Sequence, residues 1–266
     1  EAGVPTLLWD KDQPFANDLL NKLQRYRRDN FFYRCPTFAV GTPYPLRYPR
    51  FKRQAYLWFP YDPDMETSKP DLELRQRDVV YVGNDYQRGH QLLWFLQRVN
   101  ASIVGNWSKD KDAVKILIGE GKFEGPVPPN RVIAAYQTGY TGLQTMIQRW
   151  MNTGHMTQRY PEILYAFRVP LVDARLQHRE RWIHPVLDES IVRVVDGEAV
   201  QRRVHRLRYT EPVRYVDLVD RLREYVRRSR SAGKLELTIQ ELTSELRTGA
   251  GGTWFWDADK GTKEIR

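Results

Sequence analysis

From residue 78 onward, apolar and polar positions fall into a regular order. The run "VVYV" (79–82) is continuously apolar and predicts a buried strand. A helical stretch follows, with Leu92, Phe95, Leu96 and Val99 on one face. "ASIVG" predicts a second strand and "DKDAVKILIGEG" a helix. "KFEGPV" is a third strand, and Pro129 stands where a proline opens the helix "PNRVIAAYQTG". "TGLQTMI" then reads as a strand, "QRYPEILYAF" as a helix and "VPLVDA" as a fifth strand. Strands alternating with helices at this spacing predict an α/β fold, a doubly wound parallel sheet of the nucleotide-binding kind.

The flanking regions follow other patterns. "TLLWDKDQPFANDLLNKLQRYR" predicts a short strand, a turn at Asp10–Pro14 and a helix. "CPTFAVGTPYPLRYPRF" is too rich in proline for a helix and is expected to wind over the surface, before "AYLWFPYDPD" becomes extended. Pro60, Pro63 and "METSKPD" read as a linker, so three parts are expected. Residues 1–70 would be the end of an amino-terminal lobe and its linker. Residues 71–210 would be a Rossmann-like lobe, and 211–266 a basic helical tail with a Trp-rich end. In that tail, Tyr215, Leu218, Val219, Leu222, Tyr225 and Val226 form a helical stripe over 214–230. "TIQE", Thr238 to Glu241, has the form of a capping box opening a short helix. Trp254, Phe255 and Trp256 most simply dock on their own protein; stacking on a base is the rarer use.

Composition narrows the class. With 266 residues, 41% hydrophobic and 28% charged, the chain is long enough for a sizeable core and balanced as a globular protein. No apolar run is long enough to cross a bilayer, and no signal peptide opens the sequence. "EAGVPTLLWD" reads like the middle of a fold, as a truncated chain would. One cysteine and five histidines offer no metal cluster, and the single Cys35 fits a reducing compartment such as the cytoplasm. The net charge of +9, carried mostly by arginine, suits polyanions such as nucleic acid, phosphorylated substrates or acidic membrane surface. A solvated basic face would give the same total.

Ligands of open parallel sheets bind beyond the carboxyl ends of the strands. After the first strand come Gly83, Asn84, Asp85, Tyr86, Gln87 and Arg88. The glycine lets a ligand approach the backbone, the next helix offers free N–H groups, and Arg88 can hold a phosphate. Gly105, Asn106 and Trp107 follow the second strand and could sit beside a base or sugar. His155, Thr157, Arg159 and Glu162 lie ahead of and within the helix before the last strand. Each has a plain alternative: Gly83 as a strand end, and Arg159 with Glu162 as a surface pair three residues apart. Neither GxGxxG nor the P-loop pattern occurs, so nicotinamide and P-loop chemistry have no support.

In order, Val82-Gly83-Asn84, Ile103-Gly105-Trp107, Phe123-Gly125-Val127-Pro128, Arg159-Glu162-Ile163 and Pro170-Leu171 form a series. With "GVPTLLWDKDQPF" and Pro60, Asp62 and Pro63 ahead of it, this series resembles the spore-maturation-type glycosyltransferases and the related phage enzymes that put sugars on modified DNA bases. The resemblance covers about Thr6 to Val172 and departs from the family at Gly154, where many members carry an acid, and at Phe167-Arg168-Val169. It implies a GT-B fold and transfer from a nucleotide-sugar donor, UDP-linked, with no other cofactor and no metal. Arg88 and Arg159 would then bind the donor diphosphate and Glu162 the ribose, with Gly83, Asn84, Tyr86, Asn106, Trp107 and Thr157 lining the donor site. Asp10, Asp12 and His155 are the candidates for the base, although Asp12 before Gln13-Pro14 equally suits a helix cap. Duplex DNA with a hydroxymethylated pyrimidine is the expected acceptor, and a cell-surface or spore polymer the alternative. A nucleic-acid-binding module without catalysis is a third reading.

Overall fold

The computed structural model describes residues 8–10, 37–40, 53–58, 60–69, 77–85, 88–108, 111–146, 151, 156–188, 192–247, 254–257 and 262–265. Three strands come first: β1 (Leu8–Asp10), β2 (Thr37–Val40) and β3 (Arg53–Leu57). Then β4 (Arg77–Val82), α1 (Gly89–Leu96), β5 (Ala101–Val104), α2 (Asp112–Gly119), β6 (Phe123–Gly125) and α3 (Val132–Gln137) alternate. They continue as β7 (Gly139–Gln144), α4 (Arg159–Tyr165), β8 (Val169–Asp173), β9 (Arg193–Val194) and α5 (Gly197–His205). A turn of π-helix, Arg206–Thr210, leads to α6 (Pro212–Arg230), α7 (Ala232–Arg247), β10 (Trp254–Asp257) and β11 (Thr262–Ile265).

The chain divides into two compact units, the first made of Glu1–Tyr61, Thr153–His155 and Ser229–Arg266, the second of Asp62–Asn152 and Met156–Arg228. The second holds a six-stranded parallel sheet in the order β6-β5-β4-β7-β8-β9. Counted from β4, this is the doubly wound order, whose switch point lies between β4 and β7. The alternation along β4 shows why its strands read as unbroken apolar runs. Val79 and Tyr81 pack on one face with Leu92, Phe95, Val114 and Val200, while Val80 and Val82 pack on the other with Val132, Tyr136 and Ile163. Both faces are covered by helices, so the four positions from Val79 to Val82 are all apolar and buried. A sixth strand, β9, joins the five expected; at two residues it is too short to leave a pattern.

The first unit carries a sheet in the order β1-β2-β3-β10-β11, parallel except for the last, antiparallel pair. β2 overturns the expectation that the proline-rich segment only winds over the surface. Its prolines flank Thr37–Val40 and do not interrupt it. Within this unit the Arg230 guanidinium lies 4.7 Å from the centre of the buried Trp58 ring. Tyr61 N donates to Arg230 O at 2.7 Å.

One feature of the tail differs from expectation. α7 runs unbroken through Thr238, whose hydroxyl bonds back to Lys234 O at 2.9 Å, so "TIQE" lies inside a helix and caps nothing. Trp254, Phe255 and Trp256 lie in β10, which joins β3 in the sheet of the first unit, in keeping with docking on their own protein. The helix expected after Pro14 lies outside the described residues. Among the described residues no helix is long and apolar enough to cross a membrane.

Candidate donor site at the carboxyl edge of the parallel sheet

The loops after β4 and β5 are tied to each other. Gly83 N donates to Val104 O at 2.9 Å, Asp85 N to Asn106 O at 2.9 Å and Asn106 N to Asn84 Oδ1 at 3.0 Å. Trp107 Nε1 donates to Gly83 O at 2.8 Å, and its ring meets Tyr81 and Phe123 edge to face. Gly105, at φ +151°, passes so near that a Cβ would lie 2.1 Å from Gly83 O. Only glycine serves there. Trp107 is buried, and its indole supports this loop pair.

Gly83 has a further reason to be glycine. A Cβ on it would come within 2.7 Å of the Tyr81 hydroxyl. That phenol therefore stands at the carboxyl end of β4, where Arg88 Nη1 donates to it at 2.5 Å. Arg88 immediately precedes α1, an eight-residue helix whose first N–H groups have no partner within the helix itself. Arg88 and the helix start thus place two electropositive elements at one strand end.

The neighbouring strand end supplies the third. Arg159 Nη1 donates to Glu162 Oε2 at 2.5 Å, with the carboxylate only 16% exposed and the guanidinium 36%. Burial pushes the Glu162 carboxyl above its ordinary range, with Arg159 pulling the other way. Burial tends to discharge Arg159, but Glu162 and then the phenols of Tyr136 and Tyr81 hold its pKa above the usual value. The Tyr136 hydroxyl is fully buried and its pKa is driven far up by that burial, against the pull of Arg159. Tyr81 therefore belongs to both halves: it accepts from Arg88 and lies within electrostatic reach of Arg159. Thr157 Oγ1 accepts from Gln144 Nε2 at 3.0 Å, fixing the entry to α4 on the end of β7.

A second polar knot lies at the ends of β7 and β8. The buried Asp173 accepts from Thr145 Oγ1 at 2.9 Å, from Gln91 Nε2 at 3.2 Å and from Arg175 Nη2 at 2.7 Å. It locks the first turn of α1 to the strand ends beside it. Of the residues expected at this edge, Gly83, Asn84, Asn106 and Trp107 form one loop pair, Arg88 meets it through Tyr81, and Thr157, Arg159 and Glu162 border β7. Tyr86, Asp12 and His155 lie outside the described residues, and Asp10 ends β1 in the other unit. Tyr81, Tyr136, Gln91, Thr145 and Asp173 escaped the sequence reading. An acid closing the buried run "VPLVD" was the one available signal for this group.

No protein-family model matches the chain, and no curated protein matches it. Solved structures do. A crystal structure of the DNA modifying enzyme beta-glucosyltransferase, with and without uridine diphosphoglucose, superposes with TM-score 0.57 at 16% identity, over 85% of this chain and 79% of that one. The T4 phage enzyme in complex with UDP and Mn2+ gives 0.57 at 14% identity, over 91% and 82%. HepE of Anabaena, in complex with UDP and glucose, gives 0.58 at 11% identity, over 90% and 71%. The chain has the α/β architecture of GT-B glycosyltransferases, and the resemblance seen in its motifs extends to the fold; membership of the spore-maturation-type family has no matching family model behind it.

Proposed function

We propose that this chain is a glycosyltransferase that moves a sugar from a UDP-linked donor, with the diphosphate held by Arg88 and Arg159 and the ribose by Glu162. The observation that carries this reading is Arg88 bonded to the Tyr81 hydroxyl at the end of β4 and Arg159 paired with Glu162 at the start of α4, beside the switch point of the sheet. As the glycosidic bond breaks, negative charge gathers on the leaving diphosphate. Guanidinium groups and helix N–H groups already aimed there stabilise it without reorganising. Glu162 can keep one oxygen on Arg159 and turn the other to ribose hydroxyls. The base belongs to the group Asp10, Asp12 and His155. Among the described residues no three His, Cys, Asp or Glu side chains gather to hold an ion such as the Mn2+ that accompanies UDP in the T4 phage structure, and no step is assigned to a metal.

For the acceptor we favour duplex DNA carrying a hydroxymethylated pyrimidine. The net charge of +9 and the likeness to a DNA modifying enzyme support this choice. The target base would have to leave the stack before reacting. Calorimetric titration with UDP tests the donor half. Wild-type protein binds saturably, and Arg88→Ala and Arg159→Ala each weaken binding by roughly 10- to 100-fold, the worth of a charged hydrogen bond. Unchanged affinity in both variants removes the diphosphate assignment. Saturable UDP and DNA binding without sugar transfer or donor hydrolysis would leave the non-catalytic module.

A further inference from the structure

Arg88 and Arg159 are held in different ways. Arg159 pairs with a carboxylate, Glu162 Oε2 at 2.5 Å, whereas Arg88 Nη1 donates to the hydroxyl of Tyr81 at 2.5 Å. A phenol oxygen accepts such a bond without bringing a negative charge to it. It fixes the direction of a guanidinium and leaves its attraction for an anion intact, whereas a carboxylate alongside offsets part of that attraction.

The hydroxyl is itself firmly placed. Tyr81 is 2% exposed and belongs to the core that includes Leu92, Phe95 and Ile103. Trp107 meets its ring edge to face with centres 6.2 Å apart, and the indole N–H is tied to Gly83 O at 2.8 Å. On the side of Gly83 the phenol fills the space that a Cβ would need, with Oη at 2.7 Å, Cζ at 3.0 Å and Cε1 at 3.1 Å. Tyrosine at 81 and glycine at 83 are therefore one choice. The main chain of Arg88 is set from the other direction, by α1, where Leu92 N donates to Arg88 O at 2.9 Å. Its side chain runs from the helix start back to the strand end and is fastened at both.

This matters because an arginine side chain turns about several bonds, while the torsions of a ring in the core are already fixed. Ordering a long side chain when a ligand arrives costs affinity, and a preformed contact removes that cost. We propose that Tyr81 is a positioning residue for the donor diphosphate, its hydroxyl holding the Arg88 guanidinium in the binding orientation beforehand, an inference that rests on the reading of Arg88 as a diphosphate contact. Tyr81 acts through Arg88 and needs no contact with the ligand, in keeping with its burial.

Calorimetric titration of the full chain with UDP, in a double-mutant cycle of Tyr81→Phe and Arg88→Ala, tests this. Phenylalanine keeps the ring in the core and removes only the hydroxyl. Tyr81→Phe should weaken UDP binding about tenfold, roughly the cost of ordering one long side chain. In the Arg88→Ala background the same substitution should change affinity by less than about twofold, because no guanidinium is left to hold. A hydroxyl that only supports the fold gives another pattern: a lower thermal midpoint, with UDP affinity of the folded protein unchanged or reduced equally in both backgrounds. Either form of that result overturns the positioning role and leaves the donor reading in place. If Arg159→Ala weakens UDP binding and Arg88→Ala does not, Arg88 is no diphosphate contact and the role of Tyr81 falls with it. If wild type binds no UDP, the donor reading itself fails and takes the proposal along.

Discussion

Two sets of arginines in the same unit do opposite work. Arg223 is 5% exposed and surrounded by acceptors: Leu164 O at 2.6 Å, Tyr165 O at 3.1 Å, Thr67 O at 3.2 Å and the Glu66 carboxylate at 3.3 Å. Its guanidinium also lies 4.5 Å from the centre of the Phe167 ring. Arg168, fully buried, donates to Phe167 O and Gln137 O at 2.7 and 2.9 Å. These side chains end strands and helices by satisfying main-chain carbonyls. Arg88 and Arg159 instead bond to side-chain oxygens at a strand end. A net charge of +9 therefore does not say which guanidinium groups can touch an anion. Part of it is interior reinforcement, and only the second set can serve an anion.

The largest test of this division is Arg223→Ala. Removing a buried cation leaves Leu164 O and Thr67 O without this donor and Glu66 held by Arg227 alone, at a cost of about 3 kcal/mol. Denaturant unfolding should show that loss, and at temperatures where the variant remains folded its UDP affinity should be unaltered. A change in UDP affinity without a change in stability would erase the distinction.

A smaller effect, on binding, is expected from pH at the strand-end pair. The folded pKa of Glu162 is raised, so its contribution to stability is full below the unfolded pKa and is lost as pH rises through the folded value. Ligand binding runs the other way, because ribose hydroxyls donate to the charged carboxylate. UDP affinity should fall as pH drops through a pKa displaced above the ordinary glutamate range. In Arg159→Ala the midpoint should move further up, since the opposing charge is gone. A midpoint that stays put in that variant would show that Arg159 does not govern Glu162.

The smallest effect belongs to Glu198→Ala. Its pair with Arg202 is fully in solvent, so stability should change by about 0–0.5 kcal/mol. A loss of more than about 1 kcal/mol in denaturant unfolding would give this exposed pair a structural role.

Much of the parallel sheet is legible because both of its faces are buried, which makes the centres of β4, β5 and β8 mostly apolar at regular spacing. β2 and β9 are not, one hidden between prolines and the other too short. At the site, Arg88, Arg159 and Glu162 could be found by residue type and position. At Trp107 the sequence shows a ring after a strand, and only the fold shows that Gly83 O takes its N–H. Tyr81 and Tyr136 were invisible for the converse reason. Each reads as core until β4, α3 and α4 come together and bring both phenols to Arg159.

The pairing of β3 with β10 carries a consequence for biosynthesis. Arg53 lies beside Trp254, so one sheet is completed by residues made before and after almost the whole of the parallel-sheet unit. On the ribosome that unit has all its strands long before Trp254 emerges. β3 meanwhile presents a row of unpaired backbone groups, the kind of edge that recruits strands from other chains. The order of synthesis makes the nascent first unit, and not the larger second one, the part of this protein that a chaperone has most reason to hold.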